Sequence, residues 1–347
     1  MDTHNAHADD AAPDREASPC EPAAHVTAPN ATESPSETRE DKASGAISGV
    51  GVDAGQIPVS CVILTKNEQV NMEAVLRTLS FSDDIVVLDS ISTDDTVKIA
   101  KTHPNVRVVQ RPFDTEYKQR NYGLHEIDYK YPWVYICDAD ERVPDDLRRE
   151  IEQVVTNPTP ECAAYRLRYK NIYLGKWIKY ATSYPVWIIR LVQPKKVTYE
   201  KRTTNVHPIV DGKIGELKSH FTHYSFNNGL RHWFAKHNFY SDREAVEAVG
   251  VRQEGLPTFK QLTQKDPILR RRAIKNFSFF LKGRGLFRFL YSYVLRWGWL
   301  DGLAGFHYCA MISMYEYWIE LKVKEDEAQW SNATMDLSQR MLKEDEA

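Results

Sequence analysis

Cysteine is scarce and poorly placed in this chain. Five occur in 347 residues, Cys20, Cys61, Cys137, Cys162 and Cys309, odd in number and never spaced as CxxC. That pattern argues against a disulfide framework and against a zinc site, and it suggests a reducing compartment. Neither GxGxxG nor GxxxxGKS/T occurs, so no dinucleotide fingerprint and no P-loop is present. Long apolar runs are missing too. The longest late stretch without Asp, Glu, Lys or Arg, Gly302 to Tyr315, has 14 residues, short of the ~20 a bilayer-spanning helix needs. Aromatic residues are absent from the first 56 positions, where eleven acids face Arg15, Arg39 and Lys42. A segment so poor in apolar surface cannot offset its own ordering entropy, so residues 1–56 read as a disordered acidic tail. It has no basic start and no apolar core, and is not a secretory signal.

The rest is ordinary in bulk, 42% hydrophobic, 27% charged and net −3, so its information lies in the order of the residues. "VSCVILT" (59–65), "DIVVLDS" (84–90), "VRVVQ" (106–110) and "WVYIC" (133–137) are apolar runs of strand length. Helical stretches at 68–79, 93–102 and 118–127 alternate with them. Strands apolar along their whole length are covered on both faces, which predicts a mostly parallel α/β sheet with helical crossovers. Ligands of such sheets bind outside the carboxyl ends of the strands. There the sequence places Thr65-Lys66-Asn67-Glu68, Asp89-Ser90 with Thr93 and Asp94, Arg111, and Asp138-Ala139-Asp140 followed by Glu141. A rim of carboxylates suits a hard cation that bridges to substrate phosphates, so a metal–diphosphate site is expected. Each acid also has a plainer use: Thr93 or Asp94 as a helix cap, Glu68 as a first-turn acid facing the helix dipole.

"VILTKNE", "IVVLDSISTDDT", "KQRNYGL" and "YICDADER", in this order and spacing, resemble the nucleotide-sugar domain of family 2 glycosyltransferases, the GT-A fold. More narrowly they are similar to the subgroup with lipopolysaccharide core β-1,4-glucosyltransferases, as are "KHNFYSDREA" (236–245) and residues 293–318. The resemblance covers roughly 57–323. It implies that Thr65 and Glu68 line the nucleotide pocket, with Asp89 near the base or ribose and Arg120 and Asn121 approaching from the next helix. Asp138 would lie beside the ribose and donor sugar, and Asp140, with Asp138, would ligate Mg²⁺ or Mn²⁺. Glu141 is either a supporting acid or a helix-entry acid.

The implied reaction is glycosyl transfer with inversion, which needs a base to take the acceptor proton. Related sequences often carry a His-Glu pair after a strand like "YPVWIIRLVQP" (184–194). Here that loop reads "EKRTTNVHPIVDG" (200–212), and the usual Glu position aligns with Val206. Glu200 is the nearest candidate base and Asp211 the alternative. His220 and His223 would point to opposite faces of a strand, and His232 and His237 are wrongly spaced to share a metal on a helix.

From Lys260 to Arg296 ten basic residues accompany one acid, Asp266, with nine aromatics interleaved between 277 and 299. A membrane surface, a solvated helix face and single-stranded nucleic acid are the competing partners. A lipid-linked acceptor favours the anionic membrane surface at residues 260–299; no nucleic acid is expected. The expected organisation is a tail (1–56), a GT-A domain (57–255, its nucleotide-binding half 57–160 and acceptor side 161–255), a basic aromatic helical region (256–323) and an acidic tail (324–347). The protein would move a hexose from a nucleotide-diphosphate sugar, such as UDP-glucose, to a lipid-linked or lipopolysaccharide-type glycan at the inner, cytoplasmic face of a membrane. A sugar nucleotidyltransferase and an inactive nucleotide-sugar-binding relative are the alternatives.

Overall fold

The computed structural model describes residues 55–201 and 206–328. The expected tails at 1–54 and 329–347, and four residues of the 200–212 loop, lie outside the described residues. The elements are β1 (Ser60–Thr65), α1 (Gln69–Thr78), β2 (Ile85–Asp89), α2 (Thr96–Ala100), β3 (Val106–Gln110), α3 (Glu116–His125), β4 (Val134–Asp138), β5 (Glu141–Arg142) and α4 (Asp145–Thr156). They continue with β6 (Cys162–Tyr173), β7 (Lys176–Trp177), β8 (Trp187–Val192), β9 (Val197–Tyr199), β10 (Pro208–Val210) and β11 (Lys213–His223). The helices α5 (Gly229–Glu254), α6 (Phe259–Thr263), α7 (Pro267–Ser278), α8 (Arg284–Phe289) and α9 (Gly302–Ala328) complete the chain.

One sheet runs β3-β2-β1-β4-β8-β6-β11-β5, with β7 attached to β6. Its first four strands are parallel, as their apolar sequences predict. Beyond β4 the sheet becomes mixed, because β8 runs antiparallel to both β4 and β6. On one face α1 and α4 bury Met72, Leu76, Leu147 and Ile151 against Ile63, Tyr135 and Phe221. On the other, Leu124 of α3 packs on Val62, Val86, Ile136 and Ala164.

Helix α5 was expected to belong with the sheet, and it packs on both sides: Trp233 lies with Tyr173 of β6, Ile178 and Ala181 as well as with Ala304, Cys309 and Met311 of α9, while Ala245 and Ala248 lie with Ile319 and Val323. Helix α9 runs past 323 without a break. Cys61, Cys137 and Cys309 are free and buried.

Candidate functional site

Strand register builds the rim. Thr65 pairs with Asp89 and Leu64 with Asp138, so three expected site residues end level at one edge of the sheet. Thr65 is buried there with its hydroxyl lacking a hydrogen-bond partner. Asp89 has a different task from the one expected. One oxygen accepts from the Ser92 amide (2.9 Å) and the Gln110 amide side chain (3.0 Å), and the other from the Ser92 hydroxyl. Both oxygens hold the loop after β2. That loop and the one after β1 each contain a non-glycine residue in the left-handed region, Ile91 (φ 57) and Asn67 (φ 54), a conformation that surrounding bonds must impose. Ser92 Oγ accepts from the Asn67 amide (2.8 Å), and Asn67 Oδ1 accepts from the Thr93 amide (2.8 Å). Asp94 accepts from the amides of both Gln69 (3.1 Å) and Thr96 (3.0 Å). It stands one residue before the N-cap of α2, Asp95, and ties the first amides of α1 and α2 together.

The acidic turn after β4 carries the chain from β4 to β5, which pairs with the end of β11, so residues 138–141 cross the line of β8 and β6. Beneath them lies Arg190 of β8. Its guanidinium donates to Asp138 Oδ2 (2.6 Å) and to Glu141 Oε1, and its side chain is only 5% exposed. Arg120 stands 3.7 Å from the other oxygen of Asp138. Burial pushes Asp138 up, but Arg190 and Arg120 outweigh it and hold the carboxyl well below the usual range. Glu141 lacks that double support, and its burial raises it despite Arg190. Asp138 and Glu141 are thus matched by the buried Arg190, and with the half-buried Arg120 Asp138 has both oxygens turned to guanidinium groups. This corrects its assignment as a metal ligand.

Asp140 points elsewhere. Its Oδ2 lies 3.2 Å from His223 Nε2; burial lowers the imidazole's pKa, and the carboxylate raises it above its ordinary value. The pair lines a cleft of about 260 Å³ between the sheet rim and α5 and α9, with Glu68, Asn71, Asn228, Lys236 and Trp233 around it. Glu68 Oε2 accepts from Asn71 (2.7 Å) and Asn228 (3.0 Å). Burial raises its pKa against those bonds. Among the described residues no group of three or more His, Cys, Asp and Glu side chains is arranged to hold a metal. The Asp140–His223 pair nevertheless fits a divalent cation that completes its shell with phosphate oxygens and water.

Other expected residues sit outside this cleft. Asn121 accepts from the Tyr199 amide (2.7 Å) and donates to the Tyr199 carbonyl (3.0 Å), so its amide ties α3 to β9 instead of approaching a donor. Glu200, next along, accepts from Arg272 of α7 at 2.9 and 3.3 Å. Asp211 lies just before β11, whose far end carries His223. At about 3.3 Å per residue the two are up to about 40 Å apart. Asp211 is therefore at the opposite rim and is withdrawn as a base. Sequence reasoning missed Arg190, Asn228 and Lys236, and gave His223 no partner. For Arg190 a signal existed, since an arginine inside the apolar run "VWIIRLV" needs a buried counter-charge.

Against this geometry, residues 60–221 match the pattern of glycosyl transferase family 2. Residues 60–221 are a family 2 glycosyltransferase domain. The chain is 28% identical over 202 residues to an uncharacterized glycosyltransferase of Rickettsia typhi, covering 55% of this chain and 68% of that protein. It is 22% identical over 170 residues to the lipopolysaccharide core biosynthesis glycosyltransferase LpsC of Rhizobium meliloti, covering 47% of this chain and 62% of LpsC. Among solved structures it is similar to S. aureus TarS 1–349 in complex with UDP-GlcNAc, with 14% identity, 81% and 94% coverage of the two chains and a TM-score of 0.39. At that TM-score the likeness carries no conclusion about ligands. The glycosyltransferase keeps the GT-A order of a parallel nucleotide-side sheet followed by mixed strands and a C-terminal helical unit.

Proposed function

We propose that this glycosyltransferase moves a hexose, with inversion, from a nucleoside-diphosphate sugar to a lipid-linked or lipopolysaccharide-type glycan, assisted by Mg²⁺ or Mn²⁺. The observation that supports it is the Asp140–His223 pair at the sheet rim, opening on the cleft beside Asp138 and its two arginines. Asp140 and His223 would hold the cation. When bound, the cation would offset charge developing on the departing nucleoside diphosphate. Thr65, with its unpartnered hydroxyl, offers the donor a hydrogen bond. Arg120 and Arg190 fix Asp138 beside the donor.

The acceptor proton needs a carboxylate that opens on the cleft. Glu200 has an oxygen 2.9 Å from Arg272, whereas Glu68 lines the cleft and its pKa is raised. A base shifted toward neutral pH is better matched to proton abstraction. We therefore assign proton acceptance to Glu68, with Glu200 as the control position.

The acceptor's lipid would be met by the basic aromatic region. Leu286, Leu295, Trp297, Trp299 and Leu303 are exposed, Leu295 at 71% and Leu303 at 68%, among Lys282, Arg288 and Arg296. Apolar wedges with tryptophans and flanking cations suit an anionic bilayer interface. Among the described residues no helix is long and apolar enough to cross a membrane.

Calorimetric titration of the protein with UDP, GDP, CDP and dTDP, with and without Mn²⁺, tests the donor site. Metal-dependent binding of one diphosphate supports it and names the nucleotide. Binding without transfer to any glycan would favour an inactive relative. Release of pyrophosphate from a nucleoside triphosphate and a sugar phosphate would favour a nucleotidyltransferase.

A further inference from the structure

The sheet carries a second organised feature away from the cleft. Ile136 and Ala164 lie in the core beneath α3, so alternation along β6 sends Arg166, Arg168 and Lys170 to that same face. There they are half-buried beside two tryptophans. Arg166 and Arg168 sit over the Trp187 ring at 5.1 and 4.9 Å. Lys170 and Lys179 sit over the Trp177 ring at 5.4 and 5.6 Å, and Tyr184 meets Trp177 edge-on at 5.2 Å.

The charges on this face are not balanced. Arg166 is paired with Glu216. Arg168 reaches only the Lys218 carbonyl (2.6 Å), and among the described residues Arg168, Lys170 and Lys179 make no ion pair. Arg168 Nε and Trp177 Nε1 are buried without hydrogen-bond partners. Burial, then the fields of Arg168 and Lys170, keep His220 below its ordinary value against Asp146 and Glu150. Three cations with no ion-pair partner among the described residues are held here over aromatic rings and gain nothing from each other. They are suited to a ligand that brings an anion and a flat apolar face together.

A sugar bearing phosphate or carboxylate has both properties. We infer that this surface is a binding platform for an acidic glycan, in which Arg168, Lys170 and Lys179 take the anionic group and the tryptophan edges pack on the sugar ring. The inference rests on the acceptor reading above and narrows it to acidic acceptors. The fold places the platform accordingly. Its 178–184 loop is pinned by Asp301, which accepts from the Tyr180 (2.8 Å) and Ala181 (2.7 Å) amides, and by Arg296, which donates to the Tyr184 carbonyl (2.8 Å). Asp301 and Arg296 flank the exposed Trp297 and Trp299. A glycan whose lipid lies in the bilayer beside that wedge would reach the platform first.

The test uses the whole chain and three probes: a soluble phosphorylated oligomannoside, the same oligosaccharide after phosphatase treatment, and phosphatidylglycerol vesicles. Binding is read by calorimetry for wild type, for the triple variant Arg168→Gln, Lys170→Gln, Lys179→Gln, and for Lys170→Gln alone. The phosphorylated form should bind at least tenfold more tightly than the treated form. The triple variant should lose at least tenfold, and Lys170→Gln about threefold, which keeps the test alive if the triple variant misfolds. Equal affinity for both glycans, no binding by the wild type at millimolar concentration, or unchanged binding by the variants overturns the platform. If the variants lose vesicle binding and keep glycan binding, the cations serve lipid headgroups and the inference is wrong. Titrating UDP with Mn²⁺ into the same variants separates this failure from that of the donor site, because none of the three residues touches it.

Discussion

Arg190 is the residue on which the acidic turn depends, and Arg190→Met tests that directly. Methionine keeps much of the side chain's volume and removes the charge. Asp138 and Glu141 then stay behind, Glu141 at 2% exposure, and removing one partner of a buried pair costs about 3–5 kcal/mol. The upper limit can be worked out, because a stranded carboxylate can escape by taking a proton. For Asp138, an acid of ordinary pKa about 3.9, being held neutral costs ~4.2 kcal/mol at pH 7, at 1.36 kcal/mol per pH unit, and ~1.5 kcal/mol at pH 5. In the wild type the arginines hold Asp138 below its unfolded value. Its stabilisation is thus complete above about pH 4 and is lost as pH falls through its folded value. In the variant Asp138 rises above its unfolded value, as Glu141 already does in the wild type, and that penalty fades as pH falls. The loss in stability, measured by urea unfolding against wild type, should be about 3–5 kcal/mol at pH 7 and roughly 2 kcal/mol smaller at pH 5. A loss below about 1 kcal/mol at pH 7, or the same loss at both pH values, would refute the counter-ion argument.

Three further outcomes are expected. Asp140→Ala should abolish metal-dependent turnover with the fold intact by circular dichroism, and His223→Ala should weaken Mn²⁺ binding in the presence of nucleoside diphosphate about 10–100-fold; full activity in Asp140→Ala removes the cation site from the rim. Glu68→Gln should lower kcat by ~10²–10⁴ with donor affinity nearly unchanged, while Glu200→Gln changes kcat little; the reverse result returns the base to Glu200. Replacing Leu295 and Trp297 together by Asp should end co-flotation with anionic vesicles and leave donor binding alone, and undiminished flotation would move the membrane contact elsewhere.

Much of the first half of the fold was legible because its strands are buried on both faces. β1, β2 and β4 contain little except apolar residues until the rim, so strand, crossover and strand-end chemistry could be read in order. The second half is harder for a physical reason. β6 is buried on the α4 face and charged on the other, and its partners β8 and β11 lie 20 to 50 residues away. No local pattern states which of them pairs with it, or in which direction. Helix α5 is a like case: its apolar residues meet both α9 and the 173–181 segment, neighbours that only tertiary packing shows.

The site divides along the same line. Residues at strand ends were found, because the strand rule alone selects them. Their roles were misread wherever a residue's partner comes from far along the chain. Asn121 looked like a donor contact until Tyr199, 78 residues on, took both ends of its amide. Asp138 looked like a metal ligand until Arg190, 52 residues on, took its oxygen. Asp140 opens on the cleft, and its neighbour His223 is 83 residues away, at the tip of a strand that passes beside the site only because β11 runs parallel to β6. A motif identifies which side chains reach the rim. Which of them remain open to a ligand is decided by the long-range strands that bring arginine and histidine up beneath the acidic turn.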